Sequence, residues 1–495
     1  MTPDFAAAYA AGCNSIVSTV DVADLETPVA VFLKLAHGTP NSFLLESVEG
    51  GAARGRYSIV GMAPDLIWRC RAGRAEVNRN ALAAPHAFAA DGRPVLDSLR
   101  ALVAECRMVL PPGVPPMCGG LFGYLGYDMV RLMERLPDKN PDPLGLPEGV
   151  MMRPTLFAVF DTVRDELTLA VPVFPRAEVS AHQAWAAAQA RIADAQAALG
   201  RPLPRAAPPV ALPAPEPVSN MDRAQFEAMV TRMQEYIVAG DIFQAVPSQR
   251  FAAPFGLPPF ALYRALRRIN PAPFLFFLDM GGFCIVGSSP EVLVRLRDNT
   301  VTIRPLAGTR RRGATPEEDA ALEADLLSDP KERAEHLMLL DLGRNDVGRV
   351  SALGSVRVTE SFTIERFSHV MHISSNVEGT LAPGLDALDA LVAGFPAGTL
   401  TGAPKIRAME IIEELEPVRR GLYGGCVGYF APDGTMDTCI GLRTAVVKDG
   451  VMHVQAGGGV VADSTPEAEY EESRQKARAL FRAAEEAVRF AATGR

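Results

Sequence analysis

Two pairs of glutamates are spaced so that each pair would share one face of a helix. Glu332 and Glu335 lie three residues apart after an Asp-Pro step, and proline suits the first turn of a helix. Glu469 and Glu472 follow a Ser-Thr-Pro start at the same spacing, and Lys476 lies four residues further on. Two such acidic faces meeting at one site would supply the hard oxygen ligands that Mg²⁺ prefers. On spacing alone, a solvated helix surface stays open as the commoner alternative.

Three glycine-rich segments could bring backbone amides close to an anion. They are Pro305–Thr309, Pro396–Lys405 and Gln455–Gly459. Glycine lets N–H groups approach a carboxylate or a phosphate closely. The second segment is not a nucleotide-binding P-loop, because no Gly-Lys-Ser/Thr sequence ends it. Any one of the three, taken alone, could be an ordinary turn.

One cysteine stands in a misleading context. Gly424–Gly428 has the Gly-x-Cys-x-Gly form of a glutaminase nucleophile elbow, with Cys426 at its centre. That elbow needs a downstream histidine paired with an acid, yet the only later histidine, His453, is followed by Val-Gln. The chain is therefore not expected to make its own ammonia.

Composition excludes several classes of protein. The 495 residues carry a net charge of −9 and are 48% hydrophobic, which supports a large core and excludes a disordered or fibrous chain. No basic block favours nucleic acid or an anionic membrane surface. No apolar stretch approaches the ~20 residues of a membrane span, and the N-terminus lacks a basic signal-peptide start, so a cytoplasmic location is expected. The seven cysteines form no CxxC pair, which argues against a disulfide framework or a zinc site.

A proline-rich stretch divides the sequence. Arg201–Pro217 contains seven prolines and suits an extended connector. We therefore predict an N-terminal domain over 1–200, a linker over 201–219 and a catalytic domain over 220–495.

Short β-rich runs separated by turn residues alternate with a few helical patterns. Predicted strands include Ala30–Leu35, Glu291–Leu296 and Thr438–Val447, and an Ala-rich helix is predicted over Glu178–Leu199. Asp222 is expected to cap a further helix. The pattern indicates an α+β protein with antiparallel sheets.

Taken together, these segments resemble the chorismate-binding enzymes from about residue 25 to about residue 490. Within that family the chain is most similar to the large subunits that form anthranilate. The residues that carry the resemblance are Ala334–Asp346, Pro396–Lys405 and Glu469–Lys476. The resemblance implies antiparallel sheets stacked as a sandwich with helices outside, and an N-terminal half interleaved with the catalytic half. The linker is then a boundary in sequence and need not be one in space.

The resemblance also implies a role for each site residue. Glu335 and Glu472 match the Mg²⁺ ligands, with Glu332 and Glu469 beside them. Glu291 matches the acid that protonates the leaving C4 oxygen, and His372 matches the histidine tied to pyruvate elimination. The positions matching substrate contacts are Gly308, Thr309, Thr399, Tyr423, Arg443, Gly457, Gly458, Gly459 and Lys476.

Two positions separate the branches of this family. Members that add water to chorismate have a lysine where this chain has Gln244, and members that aminate C4 have a lysine where it has Ala307. Both of those reactions are therefore disfavoured. What remains is attack of ammonia at C2 followed by loss of pyruvate. Alternatives are a branch that stops at aminodeoxyisochorismate, an aminodeoxychorismate synthase, and a non-catalytic protein that binds chorismate or tryptophan.

The N-terminal half resembles the family's tryptophan-binding motif, which implies feedback inhibition. The matching positions are Leu45, Glu46, Ser47, Asn270, Pro273, Phe274 and Leu275. The match departs from the usual Ser, Tyr and Met at Ala272, Phe274 and Leu275, which puts the strength of inhibition in doubt. The resemblance further implies a glutamine amidotransferase subunit as partner in a hetero-oligomer.

Overall fold

The computed structural model describes residues 1–49, 53–203, 212–367 and 370–492. Residues 204–211 of the predicted linker lie outside the described residues. The helices are α1 Pro3–Ala10, α2 Pro28–Leu35, α3 Val95–Glu105, α4 Ala181–Leu199, α5 Arg223–Val238, α6 Pro259–Ile269, α7 Pro316–Ser328, α8 Pro330–Gly348, α9 Ala387–Gly394, α10 Lys405–Leu415 and α11 Pro466–Ala492, with short 3-10 helices at Tyr127–Leu132 and Gly398–Leu400.

The strands are β1 Ser15–Val22, β2 Ser42–Glu49, β3 Ala53–Met62, β4 Leu66–Arg71, β5 Arg74–Asn78, β6 Ala89–Ala90, β7 Leu121–Leu125, β8 Gly149–Arg153, β9 Leu156–Asp161, β10 Glu166–Val173, β11 Val218–Ser219, β12 Gln244–Ala245, β13 Ser248–Pro254, β14 Phe274–Asp279, β15 Cys284–Ser289, β16 Val292–Arg297, β17 Thr300–Ile303, β18 Leu306–Arg311, β19 Arg357–Arg366, β20 Val370–Thr380, β21 Gly402–Ala403, β22 Cys426–Phe430, β23 Met436–Ile440, β24 Thr444–Lys448 and β25 Val451–Gly457.

These strands form two large antiparallel sheets and a two-stranded β12-β21 ribbon. The first sheet runs β1-β10-β9-β3-β2-β14-β15-β24-β25-β13-β11. The second runs β18-β20-β17-β16-β23-β22-β7-β8-β4-β5-β6, with β19 also paired to β20. Each sheet takes strands from both sides of the proline-rich stretch. The predicted α+β class with antiparallel sheets is confirmed.

The two sheets face each other across an aromatic core. The ring of Phe43 in the first sheet stacks at 4.8 Å on Phe122 in the second, and Phe122 lies 5.1 Å from Tyr429. Helices cover the outer faces, where α6 and α11 pack on the first sheet and α8 and α9 on the second. The result is the expected sandwich with helices outside.

Helix starts were predicted well where a capping side chain marks them. Asp329 accepts hydrogen bonds from the backbone N–H groups of Lys331 and Glu332 at the start of α8. Asp222 forms a reciprocal capping box with Gln225 on α5.

The strand predicted over Ala30–Leu35 is wrong, because Pro28–Leu35 is helix α2. Thr27 caps it by accepting from the Ala30 N–H, and Pro28 occupies the first turn. Its Val31 and Phe32 are buried against the first sheet.

The single strand predicted over Thr438–Val447 is also wrong. It is two strands in different sheets, β23 in the second and β24 in the first, and the chain crosses between the sheets at Gly441–Arg443. Arg443 has a φ of +49°, a left-handed conformation that ends the strand. A second crossing lies beside it, where β15 leaves the first sheet and β16 enters the second through Pro290–Glu291. Both crossings carry predicted site residues.

Candidate functional site

Glutamates from α8 and α11 meet at the glycine segment that follows β25. A β-carbon at Gly458 would lie 2.7 Å from Oε2 of Glu469 and 3.2 Å from Oε1 of Glu472. Oε1 of Glu335 accepts a hydrogen bond of 3.0 Å from Nε2 of Gln244, whose amide packs on the next glycine. The structure therefore brings acids of both helices together, and the close approach requires glycine.

Glu332 lies three residues earlier on the same face of α8, beside the bulge of β18. Its Oε2 would lie 3.1 Å from a β-carbon at Gly308. Its Oε1 accepts a hydrogen bond of 2.8 Å from Arg310, which also pairs with Asp329. Glu332 therefore shares one arginine, Arg310, with other acids of the chain.

The surroundings of Glu335 and Glu469 disfavour the ionised form of each carboxyl group. Burial raises the pKa of Glu335, and the charges of Glu332 and Glu472 raise it further. Burial raises the pKa of Glu469 to about 7, and its buried Oε2 has no hydrogen-bond partner among the described residues. Hard oxygen donors crowded together in this way suit a hard cation. As they stand, no three His, Cys, Asp or Glu side chains in the described ranges are placed to hold a metal ion.

Lys476 is a nearby cation that offsets this cluster. Its Nζ lies 2.6 Å from Oε1 of Glu472, one helical turn away on α11, and donates to the Gly457 carbonyl at 3.0 Å. The side chain therefore ties α11 to the end of β25 and holds a positive charge at the site.

Arg443 is a largely buried cation without a counter-ion in the described part of the chain. Its backbone carbonyl accepts a hydrogen bond of 3.1 Å from the Ser288 N–H, which fixes the crossing. Its guanidinium makes no hydrogen bond or ion pair with another described residue, and burial lowers its pKa. The charges of Glu291, Tyr423 and Glu472 act on it. An unpaired buried guanidinium is a site for a carboxylate ligand.

The side chain of Tyr423 is buried in the same region as Arg443. The guanidinium of Arg420 lies 5.4 Å from its ring centroid, and burial raises the pKa of the phenol well above its usual range. The hydroxyl is therefore neutral and available as a hydrogen-bond donor.

Glu291 sits at the other crossing with the properties of a proton donor. Thr399 Oγ1 donates a hydrogen bond of 2.9 Å to its Oε2. Burial raises the pKa of Glu291 to about 7, although the Thr399 bond acts in the opposite direction. A carboxylic acid with such a pKa can be protonated near neutrality and can give the proton up.

His372 lies on β20, directly opposite Thr309 of β18. Its Nδ1 is 2.9 Å from the Gly308 carbonyl oxygen and 3.0 Å from Thr309 Oγ1. A carbonyl can only accept, so Nδ1 carries the proton and Nε2 is left with its lone pair. Burial lowers the pKa of His372 to about 4, which keeps the ring neutral. The ring can therefore act as a base through Nε2.

The predicted effector motif lines a cavity of about 110 Å³ between the two sheets. From β2 the wall includes Leu45, Glu46 and Ser47, and from β14 it includes Phe274 and Leu275. The remaining wall is formed by Tyr57, Ile59, Met117, Phe276, Arg297, Val427, Gly428, Tyr429, Asp437 and Cys439. The cavity is amphipathic, with aromatic and aliphatic groups beside one ion pair.

Three of the predicted effector residues are placed differently from the rest. The carboxylate of Glu46 is buried against α6, where it pairs with Arg267 at 2.6 Å and accepts from the Tyr263 hydroxyl. Asn270 and Pro273 follow α6 and do not line the cavity, and the Asn270 carbonyl accepts a hydrogen bond from Ser288 Oγ.

Strand β23 connects the cavity with Glu291. Asp437 and Cys439 of this strand line the cavity. The next residue, Ile440, donates its N–H to the Glu291 carbonyl at 3.0 Å.

Sequence reasoning did not place Gln244 or Glu365 in the site. Gln244 bonds a predicted metal ligand, Glu335, and Glu365 pairs across the sheet with His372. Gln244 had been used only to separate branches of the family. For Glu365 no signal existed in the sequence, because the pairing depends on the register of β19 against β20.

Within the described ranges, no helix has the length and apolar character needed to cross a membrane.

Comparison with known proteins places these features in context. The family model described as chorismate binding enzyme matches residues 41–482. Anthranilate synthase component 1 of Cereibacter sphaeroides is 59% identical over 494 residues, covering 98% of each chain. The component 1 proteins of Pseudomonas putida and Thermus thermophilus are 50% and 49% identical, covering 97% and 94% of this chain and 97% and 96% of their own.

Solved structures agree with the fold. The crystal structure of anthranilate synthase component I from Streptococcus pneumoniae is 36% identical with a TM-score of 0.76, covering 93% of this chain and 98% of its own. The menaquinone-specific isochorismate synthase of Escherichia coli has a TM-score of 0.71 at 20% identity, covering 96% and 95%, and this likeness bears on the fold alone.

Proposed function

Because this chain belongs to the chorismate-binding enzymes, we propose that it is the lyase that converts chorismate and ammonia to anthranilate and pyruvate in tryptophan biosynthesis. The observation that carries the proposal is that the unpaired guanidinium of Arg443 lies close enough to the protonatable Glu291 and the neutral His372 for its charge to act on both. Arg443 would hold a carboxylate, Glu291 would supply a proton, and His372 would remove one. The family relatives named above have this activity in their names.

In the first half of the reaction the C4 hydroxyl of chorismate leaves as ammonia adds at C2. The guanidinium of Arg443, with the Tyr423 hydroxyl and the glycine amides at Gly457–Gly459, is suited to the enolpyruvyl carboxylate. Glu291 would give its proton to the departing oxygen, because its pKa of about 7 lets it carry that proton near neutrality.

The nucleophile needs no base from the chain. Water would require a base such as lysine, but Gln244 cannot act as one, whereas ammonia attacks through its own lone pair. The Gln244 amide is in any case bonded to Glu335. This supports amination over hydration.

In the second half the ring becomes aromatic. His372 Nε2 would take the C2 proton, the electrons of that C–H bond would form the new ring double bond, and the C3–O bond would break. Enolpyruvate leaves with the electron pair of the C3–O bond and takes up a proton to become pyruvate. The Nδ1–H bond to the Gly308 carbonyl supports this role because it orients Nε2 as the base.

The acid cluster supports a Mg²⁺ requirement. Glu335 and Glu472 would be its ligands, with Glu332 and Glu469 beside them. When bound, the cation would supply charge neutralisation for the ring carboxylate of the substrate. The buried, unpartnered Oε2 of Glu469 and its raised pKa are the features of this chain that a cation would relieve.

The partner would be a glutamine amidotransferase that delivers ammonia, giving a hetero-oligomer in the cytoplasm. The name component 1 of the relatives supports a second component. Cys426 is buried, burial raises the pKa of its thiol to about 12, and so it is unsuited to glutaminase chemistry.

The cavity between the sheets is proposed as the site where tryptophan inhibits. An amphipathic cavity of this kind suits an aromatic amino acid. Strand β23 would carry a displacement at the cavity to Glu291, because it lines the cavity and is hydrogen-bonded to the Glu291 backbone.

Product analysis tests the function. The purified chain is incubated with chorismate, Mg²⁺ and ammonium in alkaline buffer, with and without tryptophan. Anthranilate with equimolar pyruvate, suppressed by tryptophan, is expected. Formation of aminodeoxyisochorismate without pyruvate would contradict the lyase assignment.

A further inference from the structure

Glu365 is paired with the proposed base across a sheet. On β19 it lies directly opposite His372 of β20, and Thr309 lies opposite the same histidine on the other side. Directly opposed residues of antiparallel strands send their side chains to the same face, with β-carbons about 5 Å apart. Glu365, His372 and Thr309 therefore share one face, and that face is the active site.

Two neighbours hold the Glu365 carboxylate by one of its oxygens. Oε1 accepts from Nε of Arg304, and from Oγ of Ser374 at 2.9 Å. Oε2 has no hydrogen-bond partner among the described residues. The Arg304 and Ser374 bonds thus fix the carboxylate and leave its second oxygen free to respond to charge in the site.

His372 needs such an anion when it takes up a proton. The cations Arg443 and Lys476 both disfavour the imidazolium, whereas Glu365 favours it. Glu291 faces the same pocket but must be protonated for its own role. On the β18 side, Glu332 is paired with Arg310. Glu365 also pairs with an arginine, Arg304, but it lies directly opposite His372 and is therefore the carboxylate best placed to offset the charge of the protonated ring.

We propose that Glu365 is a positioning residue for the second half-reaction, which stabilises protonated His372 and so decides whether the aminated intermediate is carried through to pyruvate. This inference rests on the proposed function. It concerns the step in which His372 removes the C2 proton as the C3–O bond of the intermediate breaks. The carboxylate makes no contact with the reacting atoms, so its effect passes through the histidine.

The test compares Glu365→Gln with a matched control, Glu360→Gln. Glu360 lies on the same strand as Glu365 and also pairs with Arg304, at 2.8 Å. It differs in lying opposite Asn376, which is four residues along β20 from His372. The readout is the ratio of pyruvate formed to chorismate consumed, together with the released aminated intermediate. This ratio is independent of the rate of the first half-reaction.

For Glu365→Gln we expect the ratio to fall about tenfold or more, with the intermediate accumulating, because elimination slows relative to release of the intermediate. Glu365→Asp should restore much of the ratio, and Glu360→Gln should keep it near one. An unchanged ratio in Glu365→Gln, or an equal fall in Glu360→Gln, would overturn the proposal. If the unsubstituted enzyme itself gave no anthranilate, the proposed function would fail instead, and the two failures are distinct.

Discussion

Glu291 and Arg443 occupy adjacent points where the chain passes from one sheet to the other. Backbone hydrogen bonds tie the two crossings together, from Ile440 N–H to the Glu291 carbonyl and from Ser288 N–H to the Arg443 carbonyl, at 3.0 Å and 3.1 Å. The proposed proton donor and the proposed carboxylate-binding cation are thus held by the framework of the sandwich.

Arg443→Gln should remove activity without weakening the fold. We expect kcat/KM to fall by about 10² to 10³, because a buried charge-assisted contact to the substrate is lost. The thermal midpoint of the free protein should stay the same or rise, since no ion pair of the chain is broken and the cost of burying an unpaired charge is removed. Steady-state kinetics and calorimetry measure both quantities.

The control for that variant is Arg420→Gln. Arg420 is fully buried and pairs with Glu416 at 2.6 Å. Its loss should destabilise the fold by about 3–5 kcal/mol, because Glu416 is left buried without its partner. Equal destabilisation by both substitutions would show that Arg443 has a structural partner after all.

Thr399→Val should change the pH dependence of the first half-reaction. The Thr399 hydrogen bond lowers the pKa of Glu291, so its removal raises that pKa further above about 7. Activity requires protonated Glu291, and its decline on the alkaline side should move upward by about half a pH unit. The measurement is a profile of chorismate consumption against pH. A downward shift would be inconsistent with Glu291 as the proton donor.

Glu469→Gln should stabilise the magnesium-free protein as pH rises. The pKa of Glu469 is raised to about 7 in the folded state, from about 4.3 in the unfolded chain. Its contribution to stability is therefore present below about pH 4 and is lost as pH rises to about 7. The variant should gain on the order of 2 kcal/mol over the parent across that window. Urea unfolding at several pH values measures the difference.

Added Mg²⁺ provides the counterpart to that experiment. It should raise the stability of the parent near neutrality, because a bound cation offsets the crowded carboxylates. Glu469→Gln and Glu472→Gln should respond less. No response of the parent to Mg²⁺ would count against the proposed ligand set.

Ser47→Leu should relieve inhibition by tryptophan while sparing catalysis. Ser47 lines the cavity, and its Oγ donates to the Tyr57 carbonyl at 3.0 Å, so a larger side chain would intrude on the cavity. We expect the inhibitory concentration of tryptophan to rise at least tenfold, equivalent to about 1.4 kcal/mol. The kcat/KM for chorismate should change less than about twofold, because surface-lining changes away from the chemistry are usually mild. Inhibition that survives intact would place the effector elsewhere.

Features governed by local chemistry could be predicted from the sequence. Asp329 and Asp222 mark helix starts because their side chains satisfy free N–H groups, and the spacing of Glu469 and Glu472 fixes a shared face. The meeting of Glu335 with the acids of α11 at Gly458 and Gly459 was predictable only through family resemblance, because nothing local brings distant helices together.

Features set by long-range packing escaped prediction. The run Ala30–Leu35 is β-rich in composition, yet burial of one face and the Thr27 cap make it a helix. The break at Arg443 lies inside an apolar pattern that continues on both sides, so periodicity did not reveal that the two halves belong to different sheets. The position of Glu365 opposite His372 follows only from the register of β19 against β20.

Strand β23 has a consequence for how regulation can evolve. Asp437 and Cys439 of its five residues form part of a wall of the inter-sheet cavity, and its last residue, Ile440, donates the backbone hydrogen bond to Glu291. If a ligand in the cavity changes the affinity for chorismate by moving this strand, then by thermodynamic reciprocity chorismate changes the affinity for that ligand by the same factor. Substitutions that alter only the packing of β23 can therefore adjust the sensitivity to an end product. Inhibition can diverge between lineages while the reacting groups at Glu291 and Arg443 stay the same.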